Sequence, residues 1–190
     1  MSKSHGRDDI HQYLTFTLAS EQYAIRVTSI REVLELPSVT RVPRMPHYMR
    51  GVINLRGSVV PVVDLKAKFG IPFREGEQAS NIIVTEVQCD EIGEDGAEQM
   101  TIGIYADSVR QVLTFDPETI EDTPRIGIPV NTEFLAGMGK VNGEFVLILD
   151  IDRALNAQEI PDADGFITND EVDVDVVSEG EGDAAAANDH

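Results

Sequence analysis

The stretch Gly51-Val-Ile-Asn-Leu-Arg-Gly-Ser-Val-Val-Pro-Val-Val-Asp-Leu65 decides the fold. Its two β-branched runs, Val52–Leu55 and Val59–Val63, flank Arg56-Gly57, which reads as a tight hairpin because Gly57 supplies the positive φ such a turn needs. The tip is then Arg56. Pro61 has no N–H for a ladder, so the returning strand is expected at a sheet edge or a bulge, open to a partner. Asp64 is placed to cap a short helix that Gly70 ends.

A second copy begins at Gly137. Gly-Met-Gly-Lys-Val-Asn-Gly-Glu-Phe-Val-Leu-Ile-Leu-Asp-Ile aligns with the first stretch without a gap at an offset of 86 residues, and its turn is Asn142-Gly143. Asn-Gly is the strongest short hairpin signal. Where the second copy has the residue the turn prefers, the first has a long cation. Two readings of Arg56 stand side by side: a solvated charge on an acceptable turn, or a group kept for something other than the turn.

Working outward from the hairpins, the duplication extends through the chain. Leu14, Phe16 and Leu18 alternate with Tyr13, Thr15 and Thr17, and after a turn at Ala19–Glu21 the segment Gln22–Val27 returns. A short turn or helical piece at Thr28–Arg31 leads to a strand at Val33–Leu36 and an extended connector marked by Pro37, Pro43 and Pro46. Asn81–Val87 and Met100–Tyr105 then read as strands joined by a polar, acidic loop, Asp90–Glu98. Tyr23-Ala24-Ile25 matches Ile102-Gly103-Ile104, and Ser29–Leu34 matches Ser108–Leu113, both at an offset of 79; seven inserted residues around Asp116–Glu133 account for the later 86. Three matches in order at compatible offsets indicate an internal duplication, with units at about 12–70 and 80–155. Units of about five short strands close into small barrels to remove their edges.

Composition sets the outer limits. The chain has 190 residues, 42% hydrophobic, enough for a substantial core without disulfides, and its one cysteine, Cys89, excludes both an internal disulfide and a cysteine metal cluster. Residues 1–11 are polar and are expected to be a disordered N-terminus without signal peptide or anchor, and no apolar run approaches the roughly 20 residues of a membrane span. A soluble, cytoplasmic protein is expected. The net charge is -19, and ten of the 34 acids lie in Asp162–His190, which has no Lys or Arg. That charge argues against nucleic acid as a partner, and the scarcity of lysine suits a salt-rich cytoplasm. Residues 158–190 have little to bury and are expected to be a disordered acidic tail, either solubilising or able to dock on a basic partner.

Catalytic chemistry is hard to find. His5, His11, His47 and His190 lack metal spacing and pair with no nucleophile. Gly137-Met-Gly-Lys140 resembles a phosphate loop only superficially, because it leads into a strand. Asp64 and Asp150, imaginable as an acid/base pair, read more simply as equivalent helix caps, so no catalytic, cofactor-binding or metal-binding residues are assigned.

The Gly-Val-Ile-Asn-Leu-Arg-Gly segment, the Val-Pro-Val-Val-Asp-Leu after it, the preceding Ile-Arg-Glu-Val-Leu and the later Phe-Leu-Ala-Gly-Met-Gly closely resemble the CheW family of chemotaxis coupling proteins over Gln12 to about Ala157. The resemblance implies an all-β fold of two intertwined five-stranded SH3-like barrels with short helices. It also implies a scaffold without catalysis or cofactor, joining a CheA-type histidine kinase to the cytoplasmic tips of methyl-accepting chemoreceptors in membrane-associated arrays. By matching positions, Arg56 and Gly57 of the turn, with Ile30 and Glu32, would face the receptor, and Ile82, Ile83 and Val84 would lie near the kinase-facing surface, although plain core suits these three better. One alternative is the regulatory fragment of a CheA-like kinase, against which the absence of a His-bearing helical domain and of a Gly-rich nucleotide box argues. A scaffold of a pilus-type array is the other alternative. The acidic loop and the tail depart from the family pattern.

Overall fold

Both hairpins form where their turns require. A computed structural model describes residues 11–156, apart from 74, 77, 94, 95, 125, 126 and 129, and leaves the side chains of 89–98 undescribed. Arg56 and Gly57 adopt φ of 52° and 90°, and Asn142 and Gly143 adopt 51° and 87°. Successive positive φ values match the right-handed twist of the flanking strands. These strands are β4 (Met49–Leu55) with β5 (Ser58–Val63), and β9 (Leu135–Val141) with β10 (Glu144–Leu149).

The other strands are β1 (Gln12–Leu18), β2 (Glu21–Arg26), β3 (Ile30–Glu35), β6 (Asn81–Gly93), β7 (Gly96–Ala106) and β8 (Ser108–Thr114), with short helices α1 (Leu65–Phe69) and α2 (Ile151–Ala154). They form two five-stranded sheets in the orders β8-β1-β2-β10-β9 and β3-β6-β7-β5-β4. Exchanging each strand for its repeat equivalent turns one order into the other. Each sheet takes two strands from one copy and three from the other, so the duplicated halves are interlocked. The crossing points are matched parallel pairs, Val62↔Gly103 and Ile148↔Ala24.

Three apolar clusters hold this arrangement. Tyr13, Ala24, Phe115, Val146 and Ile148, with Leu113 and Val141 against them, draw on all five strands of the first sheet. Ile53, Val60, Val62, Ile82 and Val84, with Leu34, Leu55 and Tyr105, do the same for the second. Each sheet is therefore wrapped around its own small core. The largest cluster, including Phe16, Tyr23, Leu65, Ile83, Ile104 and Leu155, joins the two. Alternation along one strand serves both cores: Ile82 and Val84 face the interior of their unit, while Ile83 faces the junction.

A pair of short bridges brackets both copies. Thr40 exchanges backbone hydrogen bonds with Val52 (2.9 and 2.8 Å), and Glu121 does the same with Met138 (2.9 and 2.8 Å). The offset at Thr40/Glu121 is 81, so the seven inserted residues divide into two before this bridge and five after it. The bridging connector lies so close that Gly51 and Gly137, at φ of 138° and 156°, have no room for a β-carbon. Gly51 would drive one into the carbonyl of Thr40.

Several expectations change. β5 is not an edge: it lies between β4 and β7, and Pro61 is buried opposite Val52. The missing N–H is tolerated because pairing to β7 begins only at Val62. Residues 90–93 and 96–98 are strand rather than loop, since β6 and β7 continue as a ladder to Ile92↔Ala97 and Gly93↔Gly96 after an irregularity beyond Gln88. Backbone pairing does not require apolar side chains, which is why the polar composition misled. Strand β3 begins at Ile30, after a 3-10 turn at Val27–Ser29. His11, assigned to the disordered start, accepts a backbone hydrogen bond from Phe115 at 3.1 Å. Residues 1–10 and 157–190, where the disordered ends were expected, lie outside the described residues.

Candidate functional site

At the tip of β4–β5, an Arg stands in the left-handed conformation that Asn holds in the other hairpin. Two side chains support it. Asn54 Oδ1 accepts a hydrogen bond from the Gly57 N–H at 2.9 Å, inside the turn. Glu32 Oε2 accepts one from Arg56 Nη2 at 3.1 Å, across the seam where β3 and β4, the two ends of the sheet order, come together. The pair is asymmetric: the Glu32 side chain is 20% exposed and that of Arg56 78%. A guanidinium has five N–H donors in a fixed fork, so one used on Glu32 leaves others directed to solvent or a partner. At that exposure the pair itself contributes only about 0–1 kcal/mol to stability.

Strand β3 presents Glu32 through its own alternation. Ile30, Glu32 and Leu34 are half-buried on one face, while Arg31, Val33 and Glu35 are exposed on the other. Ile30 packs against the central cluster and Leu34 against the core of its own unit, which leaves Glu32 between the two apolar contacts. A bulge between Ile30 and Glu32 shifts the register against β6, and Ile30 falls beside Thr85 at the junction. The structure thus unites Arg56, Gly57 and Glu32 at the tip. Ile30 lies further along the same strand face and does not join the charged contact.

Ile82, Ile83 and Val84 are fully buried, two in the core of their unit and one at the junction. Their apolar, β-branched run marks a strand buried on both faces, which is the packing role these three side chains have here.

Asp64 has more to do than cap a helix. Its Oδ1 accepts from the N–H groups of Lys66 (2.9 Å) and Ala67 (3.3 Å), while Oδ2 accepts from Arg50 Nε (2.9 Å) and Nη2 (2.5 Å). Asp150 caps α2 through the Arg153 N–H at 3.2 Å. Each carboxylate is committed to its own helix, as the cap reading requires. The next residue, Lys66, is buried and joins Asp107 Oδ1 at 2.6 Å, and Asp107 Oδ2 accepts from the Ala19 N–H at 2.8 Å. This contact ties α1 to the β1–β2 turn and the start of β8. Burial raises the Tyr105 hydroxyl pKa, an effect Arg50 opposes, Asp64 adds to and Arg41 opposes.

Sequence reasoning passed over Asn54 and the Lys66–Asp107 pair. Asn54 was detectable in principle, since the second copy has Lys140 at that position and an Asn three residues before a turn glycine is a known side-chain acceptor. Nothing local announces a buried lysine. His47 is exposed, its Nε2 3.2 Å from the Ala67 carbonyl oxygen, and among the described residues no three His, Cys, Asp or Glu side chains are grouped to hold a metal.

Comparison with known proteins bears on the same span. The family model described as "CheW-like domain" matches residues 12–159. The chain is 30% identical over 160 residues to the "Chemotaxis protein CheW" of Klebsiella aerogenes, covering 84% of this chain and 90% of that one. It is 29% identical to the protein of the same description in Helicobacter pylori, covering 81% and 87%. Among solved structures, the "scaffolding protein TtCheW from Thermoanaerobacter tengcongensis" superposes with a TM-score of 0.67 at 29% identity, covering 82% of this chain and 94% of that one.

Proposed function

The chain belongs to the CheW-like domain family, and from that premise we propose that it is a non-catalytic adaptor coupling the cytoplasmic tips of chemoreceptors to a CheA-type histidine kinase. The observation that carries the proposal is the Arg56–Glu32 pair at the β4–β5 tip, a guanidinium 78% exposed beside a carboxylate only 20% exposed. An all-helical receptor tip would dock by laying a few apolar side chains along the seam, beside Ile30, and by offering a carboxylate or carbonyl to the free donors of Arg56. Glu32 would set the position of that cation, and Gly57 would let the backbone turn close beneath it.

Among the described residues no helix is long and apolar enough to cross a membrane. Placement at a receptor array would come from these partners. Such an adaptor needs no nucleophile, base or nucleotide loop of its own.

Reconstitution tests the reading. Adding the protein to a chemotaxis kinase and receptor preparation is expected to make kinase autophosphorylation depend on receptor, while the chain alone turns over no ATP. Intrinsic ATP turnover, or kinase activity indifferent to the added protein, would overturn the proposal.

A further inference from the structure

An open groove of about 500 Å³ lies beside α1, away from the Arg56 tip, and its lining mixes two kinds of side chain. Arg41, Arg50 and Lys66 supply cations, and Leu36, Phe73 and Tyr105 supply apolar and aromatic surface. Phe73 is 70% exposed, the most exposed large hydrophobic side chain among the described residues, and Lys66 Nζ lies 5.9 Å from its ring centroid. Among the described lining residues the single carboxylate, Asp64, is already bound to Arg50, and Asp107 is bound to Lys66. In a chain of net charge -19, a concave surface with surplus positive charge and an uncovered phenylalanine selects an acidic peptide that also carries apolar side chains.

The chain carries such a peptide. In Asp170-Glu-Val-Asp-Val-Asp-Val-Val177, the acids Glu171, Asp173 and Asp175 alternate with Val172, Val174 and Val176. Laid out as an extended strand, that alternation puts carboxylates on one face and valines on the other, so the peptide offers a partner to each kind of side chain in the groove lining. We propose that Asp170–Val177 docks in this groove of its own chain, and so covers it until a competing acidic segment displaces it.

The reach is sufficient. Asp152 of α2 binds the Gln88 N–H, and the groove lies by Ala79 at the opposite end of β6, nine residues or about 30 Å away at strand spacing. From Asn156 to Glu171 is 15 residues. These average about 21 Å end to end as a coil and extend to about 50 Å, so the groove falls inside their range. Tethering raises the peptide's effective concentration to the millimolar range, enough for a weak contact to be populated.

Paramagnetic broadening in the full chain tests this. A nitroxide is attached at Ser178→Cys in a Cys89→Ser background, and the amide resonances of Phe73, Gln78 and Ala79 are followed. They are expected to lose most of their intensity, while those at Arg56 and Asn142 keep theirs. The loss should disappear with Glu171→Gln, Asp173→Asn and Asp175→Asn together, which alter no described residue, and again with Arg41→Glu plus Phe73→Ser on the groove side. Unaffected groove resonances, or broadening that survives these substitutions, would overturn the proposal. Broadening of an isotope-labelled, nitroxide-free chain mixed with a nitroxide-bearing one would assign the groove to a second copy and overturn it equally.

Discussion

The two hairpins share one backbone and differ in what surrounds it. At β9–β10 the turn is Asn-Gly, with Lys140 where the first hairpin has Asn54. At β4–β5 the tip is an Arg at the same φ to within a degree, with Asn54 bonded beneath the turn and Glu32 reaching across the seam. Left-handed backbone costs a residue with a β-carbon roughly 1–2 kcal/mol, and Asn avoids part of that by local hydrogen bonding. The first hairpin accepts the less suitable residue and surrounds it with supports. A duplicated element thus shows which parts serve the fold, because they recur, and which serve something else.

The bridges beside the hairpins give the largest test of that division. Gly51 and Gly137 recur and have the same steric role, but a β-carbon at Gly51 meets the Thr40 backbone, whereas at Gly137 it meets the Ile120 Cγ2 at 2.5 Å. A side chain can move where a hydrogen-bonded backbone cannot. Gly51→Ala is therefore expected to cost at least about 4 kcal/mol or to prevent folding. Gly137→Ala should cost about 1–3 kcal/mol, typical of over-packing. Denaturant unfolding of both checks this, and equal losses would show that the copies are equally tight.

The helices after the hairpins differ next. Lys66 is buried against Asp107, while its equivalent, Asp152, accepts the Gln88 N–H at 2.8 Å near the surface. Asp107→Ala strands a buried ammonium and is expected to cost about 3–5 kcal/mol. Asp152→Ala removes one exposed hydrogen bond, worth about 1 kcal/mol. Thermal melts of the two variants give the ranking, and a mild Asp107→Ala would mean that Lys66 finds water or another acceptor.

Tyr23 separates the copies inside the core. Its counterpart is Ile102, and both are fully buried. Among the described residues the Tyr23 hydroxyl has no hydrogen-bond partner, and burial, with a smaller contribution from Glu21, drives its pKa far above the usual tyrosine value. Tyr23→Phe keeps the ring and its stacking on Phe16 and removes an unsatisfied polar group, so stability is expected to stay level or rise by up to about 1 kcal/mol. Because the raised pKa disfavours the phenolate in the folded state, the parent alone should lose stability through this group as pH climbs past the unfolded-state value near 10. A Tyr23→Phe variant with the parent's alkaline stability profile would show that the hydroxyl is solvated.

How far the sequence could be read follows the same line between local and non-local physics. Asn142-Gly143, the 79 and 86 offsets and the Asp64 and Asp150 caps are signals a few residues long, and each came out as a hairpin, a duplicated unit or a capped helix. Partner choice is not local. That β5 crosses to β7 and β10 to β2 is settled by where apolar faces find one another, so Pro61 was misplaced on an edge. Glu32 and Arg56 were singled out separately by matching positions, but their contact depends on β3 and β4 meeting at a seam 24 residues apart in sequence.

The contact between Glu32 and Arg56 sets up the finest test, with the smallest effect on the fold. Arg56→Asn makes the first tip like the second, gaining the better left-handed residue and losing an exposed ion pair worth about 0–1 kcal/mol, so stability should change by less than about 1 kcal/mol in either direction. Receptor coupling should not be spared. If the guanidinium gives a receptor one charge-assisted hydrogen bond, its loss removes about 1.5–3 kcal/mol, roughly a tenfold to hundredfold drop in affinity. Glu32→Gln keeps the cation but loosens its anchor and should weaken binding less. Because Glu32 acts through Arg56, the double variant should bind no worse than Arg56→Asn alone, and the cycle should show a coupling of at least about 0.5 kcal/mol. Additive losses would mean that Glu32 meets the receptor on its own account. An Arg56→Asn affinity within about a factor of two of the parent would leave Arg56 as the clasp of the β3–β4 seam and nothing more.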